Sequence, residues 1–221
     1  MTNGELCCQT LKVGDVIEVG PVCEALEHFE EAPDIFRQWL KMVGIGLDWP
    51  ERPPVAGSLA DIFWKTMLND SVELNRSESP FYRRTNESDY AKFRSLWMFF
   101  LSPFIGMLMG SLSLSEQSHD DIMAKALATV YHLLVCLWHR RLFKTDQGWI
   151  GLAPENCRVG DEIHVLLGSP APFILRQSMK TGQVSSARHA YTIVGNAYVH
   201  EIMLGEAFKD GEKGVETVTL C

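Results

Sequence analysis

The sequence predicts an α+β chain, a mainly helical N-terminal layer followed by a small antiparallel, barrel-like sheet of about five strands. Three observations predict it. Apolar residues recur at helical spacing through much of residues 22–139. From Arg141 onward the period changes to short apolar runs separated by turn residues. The length of 221 residues, 46% of them hydrophobic and 22% charged, is that of a globular chain able to bury a sizeable core. We read a single domain over 1–221, with a helical half at 1–139, a β half at 140–208 and a loose polar tail at 209–221.

Val16-Ile17-Glu18-Val19 is a β-branched run between Gly14-Asp15 and Gly20-Pro21, and reads as a strand. From Val22 to Met42 the spacing of Leu26, Phe29, Ile35, Phe36, Trp39 and Leu40 is helical, with Pro33 starting a second helix inside the stretch. Residues 44–57 are rich in glycine and proline and form a loop. Ser58 then serves as an N-cap with Asp61 three residues on, opening a short helix. Residues 69–88 are polar and carry Pro80, as a surface loop does. A helix follows from near Asp89, and a further one runs from about Ser118 to His139. Asp120 and Asp121 in its first turn and Arg140 and Arg141 after its last complement the helix dipole.

The β half opens with a hairpin, Arg141–Thr145 and Trp149–Leu152 around Asp146-Gln147-Gly148. Ile163–Leu167, Pro172–Arg176 and Ala190–His200 supply three more strands. Such short strands at such spacing favour a small barrel or a strongly curved sheet.

Charge and cysteine content narrow the function. A formal charge of −8 and a pI near 5.4 argue against a nucleic-acid partner, which needs a basic surface for phosphate. None of the six cysteines forms a C-x-x-C pair, and MTNGELCCQT lacks the basic and apolar runs of a secretory signal. Thiols in a reducing, cytoplasmic compartment are expected.

The stretch RRLFKTDQGWIGLAPENCRVGDEIHVLLGSPAPFILR (Arg140 to Arg176), followed by YTIVGNAYVHEIMLGEAF (Tyr191 to Phe208), resembles the C-terminal module of fungal heterokaryon incompatibility (HET) domain proteins. VGDVIEVG (Val13 to Gly20) and SLADIFWKTMLND (Ser58 to Asp70) also look like segments of that family. The resemblance implies a stand-alone form lacking the N-terminal TIR-like HET domain, so a cell-death effector role is not implied. Stand-alone versions are similar to proteins of fungal natural-product clusters, some suspected of catalysing cyclisations. Three positions depart from the family pattern: Glu201 replaces the glycine after the histidine, Leu204 an acidic residue, and Ala153 the second glycine of Gly-Leu-Gly-Pro.

The common site motifs are absent. Gly44-Ile45-Gly46 lacks a third glycine, and no G-x-x-x-x-G-K-[ST], H-E-x-x-H or G-x-S-x-G occurs. The histidines show no metal-ligand spacing, so neither metal nor cofactor is expected. Ser95 to Ser115 holds no charge and approaches the length of a bilayer span, yet Pro103 and five serines interrupt it. A buried helix broken at Pro103 is the favoured reading and a membrane span the weaker one. The same run also suits the wall of an apolar cavity, with Trp97, Phe100, Phe104 and Met107, together with Trp138 and Trp149, as substrate-binding candidates.

Tyr198-Val199-His200-Glu201 is the other candidate. Strand alternation puts Tyr198 and His200 on one face, where they suit proton transfer or a hydrogen bond to a carbonyl. The bland alternative, a strand-end histidine satisfied by backbone, is the commoner case. With His132, these two residues are the catalytic candidates. The leading reading is a cofactor-free cyclase of fungal secondary metabolism acting on an apolar polyene or terpenoid, a Diels–Alder reaction being one form. Its rival is a non-catalytic HET-like interaction module.

Overall fold

The computed structural model describes residues 6–24, 27–73, 82–101, 132–178, 190–203, 205–208 and 214–221. The chain divides into two compact units, Gly20–Arg140 and the segment up to Val19 with Arg141–Cys221. The class is α+β, helices preceding most of the strands.

In the helical unit, a 3-10 turn at Phe29–Glu31 leads into α1 (Ala32–Val43). Pro33 sits in its first turn, where a missing N–H costs nothing. Gly44 ends the helix at φ 77°, a left-handed conformation open to glycine, and donates its N–H to the Lys41 carbonyl. Ser58 caps α2 (Leu59–Met67) by accepting the Asp61 N–H at 3.3 Å, as the spacing predicts. The Val22 end of the expected first helix is strand instead, because β1 (Leu6–Cys23) runs on through it.

The polar stretch read as a loop contains two short antiparallel strands, β2 (Ser71–Glu73) and β3 (Tyr82–Arg84). Ion pairs sustain them where apolar residues are few: Arg84 with Asp70, and Arg83 with Asp89 at 2.7 Å. α3 (Glu87–Leu101) begins two residues before Asp89, and residues 132–137 are helical. Most of the Ser95–Ser115 run, with Pro103 and the 118–131 part of the last expected helix, lies outside the described residues. Among the described residues, no helix is long and apolar enough to cross a membrane.

The core of this unit is aromatic. Phe36, Trp39, Phe63, Trp64, Tyr90, Phe93, Trp97 and Phe100 are all but sealed from solvent. Trp97 stacks on Phe36 (4.6 Å between ring centres) and Phe93 (5.4 Å), and meets Phe63 edge-on at 5.4 Å. Such pairs add about 0.5–1.5 kcal/mol each beyond the area they bury.

In the β unit, the hairpin of β4 (Arg140–Thr145) and β5 (Ile150–Pro154) forms as the sequence predicts. Thr145 donates its N–H to the Trp149 carbonyl at 2.9 Å, and Gly148 adopts φ 84° in the turn. β6 (Glu162–Leu166) and β7 (Phe173–Gln177) follow. The expected strand over 190–200 is broken at Ala197 into β8 (Ala190–Asn196) and β9 (Tyr198–Val199).

Two expectations need correction. The N-terminal strand covers 18 residues in place of four. The tail is loose only in the sequence reading, because Val215–Leu220 is β10, antiparallel to β1 from Leu6↔Leu220 to Leu11↔Val215. Its Val-x-x-Val-x-Leu pattern buries Val218 and Leu220 among Leu175 and Tyr191. The count therefore exceeds five: the sheet order is β10-β8-β7-β6-β1-β4-β5-β9, with β10 also bonded to β1. Pairing returns on itself through β1, β6, β7, β8 and β10, while β4, β5 and β9 extend the sheet outward from β1. The whole is a curled sheet with an open wing, not a closed barrel.

Candidate functional site

Residues opposite one another in a ladder share a face of the sheet. Lys12 pairs with His164, Thr10 with Leu166 and with Glu216, and Gln177 with Tyr191. Alternation then places Thr10, Lys12, Glu162, His164 and Tyr191 on one face, around the fully buried His164 ring. His164 Nδ1 lies 3.2 Å from Thr10 Oγ1, and its Nε2 lies 3.0 Å from Glu162 Oε2. Tyr191 donates its hydroxyl to the same Glu162 oxygen at 2.9 Å. The Lys12 ammonium is 3.4 Å from Glu162 and 2.8 Å from Asp15.

Electrostatics fixes the charge states. Burial lowers the His164 pKa and outweighs the pull of Glu162, so the ring is held neutral. Burial works against the Glu162 charge, but hydrogen bonds from His164 and Tyr191 and the Lys12 charge prevail and hold the carboxylate ionised. Burial and the bond to Glu162 push the Tyr191 phenol well above its usual range. The group is a pre-organised proton network. The sequence reading missed it; its only local signal is the alternation of Glu162 and His164 about Ile163.

The expected pair in the same unit does come together. Tyr198 Oη lies 2.9 Å from His200 Nδ1, and both side chains are buried. Close approach of β5 makes this possible: Leu152 pairs with Tyr198 and Gly151 with Val199. Glu201, next along, is exposed and takes φ 65°, in the left-handed region where the related pattern has glycine.

The other candidates are spread over both units. His132 belongs to the helical unit, its Nε2 at 3.4 Å from the Ser71 carbonyl oxygen and 3.8 Å from Cys136 Sγ. Trp97 and Phe100 are members of the aromatic core. The indole N–H groups of Trp97 and Trp49, buried in that core, have no hydrogen-bond acceptor among the described residues. Trp138 is 46% exposed, one turn after Val135 at 45%, and its ring lies 4.8 Å from that of His139. Trp149 packs against the core of the β unit around Phe143, Ile163 and Val199. Phe104 and Met107 lie outside the described residues.

Comparison with known proteins gives one finding. The family model described as the Het-6 beta-barrel domain matches residues 110–215. No curated protein and no solved structure matches the chain.

Proposed function

We propose that the protein, whose residues 110–215 match the Het-6 beta-barrel domain model, is a non-catalytic HET-like interaction module. The observation that carries this reading is Trp138 with Val135, two large apolar side chains nearly half exposed one helical turn apart. Exposed tryptophan beside an aliphatic neighbour is the side-chain type that dominates protein interfaces. The partner is a protein, with full-length HET-domain relatives as the first candidates. A binding titration of the intact chain against such relatives tests it. Wild type should bind and Trp138→Ser should bind at least tenfold more weakly, in line with a loss of roughly 2 kcal/mol for a central tryptophan. Equal affinity for the two chains would remove Trp138 as the anchor and this reading with it.

The cyclase reading retains one supporting observation, the buried Tyr198–His200 hydrogen bond. A cofactor-free cyclisation needs a folded substrate, worth up to ~7–11 kcal/mol in favourable intramolecular cases, and one donor to a carbonyl, worth ~2.7–4 kcal/mol in a dry site. Trp97 and Phe100 give it no support, since both rings are engaged by other rings of the core. Incubation with an acyclic polyene or terpenoid precursor separates the readings. Accelerated, stereoselective ring closure that Tyr198→Phe slows would favour the enzyme.

A further inference from the structure

We propose that Thr10, His164 and Glu162 form a proton-sensitive clasp between β1 and β6, in which a second proton on His164 reverses the Thr10–His164 hydrogen bond and weakens the strand ring. The argument begins with donors and acceptors. Thr10 has one hydroxyl proton and two acceptors at 3.2 Å, His164 Nδ1 and the Val165 carbonyl oxygen. Glu162, as a carboxylate, accepts a hydrogen bond from His164 Nε2 at 3.0 Å. A neutral ring therefore carries its hydrogen on Nε2, and Thr10 donates to Nδ1. Adding a proton at Nδ1 forces that atom to donate to Thr10 Oγ1, and Thr10 must turn its own hydrogen to Val165. Either pattern leaves both imidazole nitrogens and the Thr10 hydroxyl bonded, with the Thr10 hydrogen reaching Val165 in the charged one alone, so the clasp has two discrete arrangements selected by one proton.

Which arrangement the fold prefers depends on what faces the ring. β1 presents Lys12 and, near the mouth, Asp15; β6 presents Glu162; β8 presents Tyr191, whose ring is 5.2 Å from the imidazole; β10 presents Glu216. β7 offers Phe173 opposite His164. Glu162 and Glu216 favour an imidazolium, whereas complete burial and the Lys12 charge oppose it, and the opposition wins. The unfolded chain takes up this proton near pH 6.5, while the folded chain resists it. Below about pH 6.5 the unfolded state thus binds more protons, and stability falls with acidification in that window.

Unfolding of the full chain by urea between pH 5 and 8 tests the clasp, with wild type and His164→Gln compared at each pH. The wild type should lose up to about tenfold in its folding equilibrium constant per pH unit below 6.5, relative to the variant, as uptake of one proton requires. Long-range nitrogen–proton NMR of wild type at pH 7.5 should show His164 neutral with its hydrogen on Nε2. The NMR result stands even if His164→Gln fails to fold. The same pH slope in both chains, or a charged His164 at pH 7.5, would overturn the proposal.

Discussion

A methyl group on the Gly151 α-carbon would sit 2.2 Å from the carbonyl oxygen of Tyr198 and 2.7 Å from the Phe143 ring. The β5–β9 pairing that brings Tyr198 to His200 therefore requires glycine at this one position, for space and not for φ. Gly151→Ala should cost about 1–3 kcal/mol through overpacking. It should also separate Tyr198 from His200, which a shifted His200 imidazole resonance would report. Unchanged stability and an unchanged resonance would show that the backbone yields there freely.

Glu201 holds a left-handed backbone at a position where the HET-type pattern has glycine. A residue with a Cβ pays roughly 1–2 kcal/mol in that conformation. Glu201→Gly should raise stability by up to about 1 kcal/mol once the greater freedom of unfolded glycine is subtracted. Urea denaturation measures it, and a fall in stability would mean that the Glu201 side chain contributes something the backbone cost conceals.

On the alkaline side, Tyr191 sets the sign. Burial and the bond to Glu162 raise its folded pKa well above the ordinary value of 10. The stability it contributes is fully present below pH 10 and is lost as pH rises above 10, because the unfolded phenol ionises first. Tyr191→Phe should flatten the alkaline limb of the stability profile. A limb of unchanged steepness would sink the assignment.

Trp97 separates a packing role from a binding role. Trp97→Ala should cost about 3–5 kcal/mol, as the loss of a large core side chain does. Trp97→Phe removes an indole N–H that is buried without an acceptor among the described residues, which recovers part of an unpaired-donor cost of about 1–3 kcal/mol. The phenylalanine variant should accordingly lie much closer to wild type than to the alanine variant in urea midpoint. Equal loss in both would indicate that the N–H has an acceptor in solution.

The Arg141–Leu152 hairpin, the Ser58 cap and the Gly44 helix end were legible in the sequence because each rests on local chemistry: a turn glycine, a short side-chain acceptor, a positive φ. Residues 6–15 of β1 and the whole of β10 were not. The face they share with His164 includes Thr10, Lys12 and Glu216, polar groups that blur the alternation. The same cause hid His164, whose partner Thr10 is 154 residues away in sequence. Trp97 and Phe100 are ambiguous in sequence for another reason: a cavity wall and a packed core draw on the same side chains, and the structure adds that both rings are buried against Phe36. The approach of Tyr198 to His200 could be read because the two lie only two residues apart in sequence.

Leu6 and Leu220 face each other across the β1–β10 ladder. Any tag, reporter or further domain fused before the first or after the second would emerge from the same corner of the β unit. A short linker between these positions would also allow new termini to be opened at an exposed turn elsewhere. The cut-and-joined protein would keep its fold if that ladder, and not chain order, is what holds the ring together.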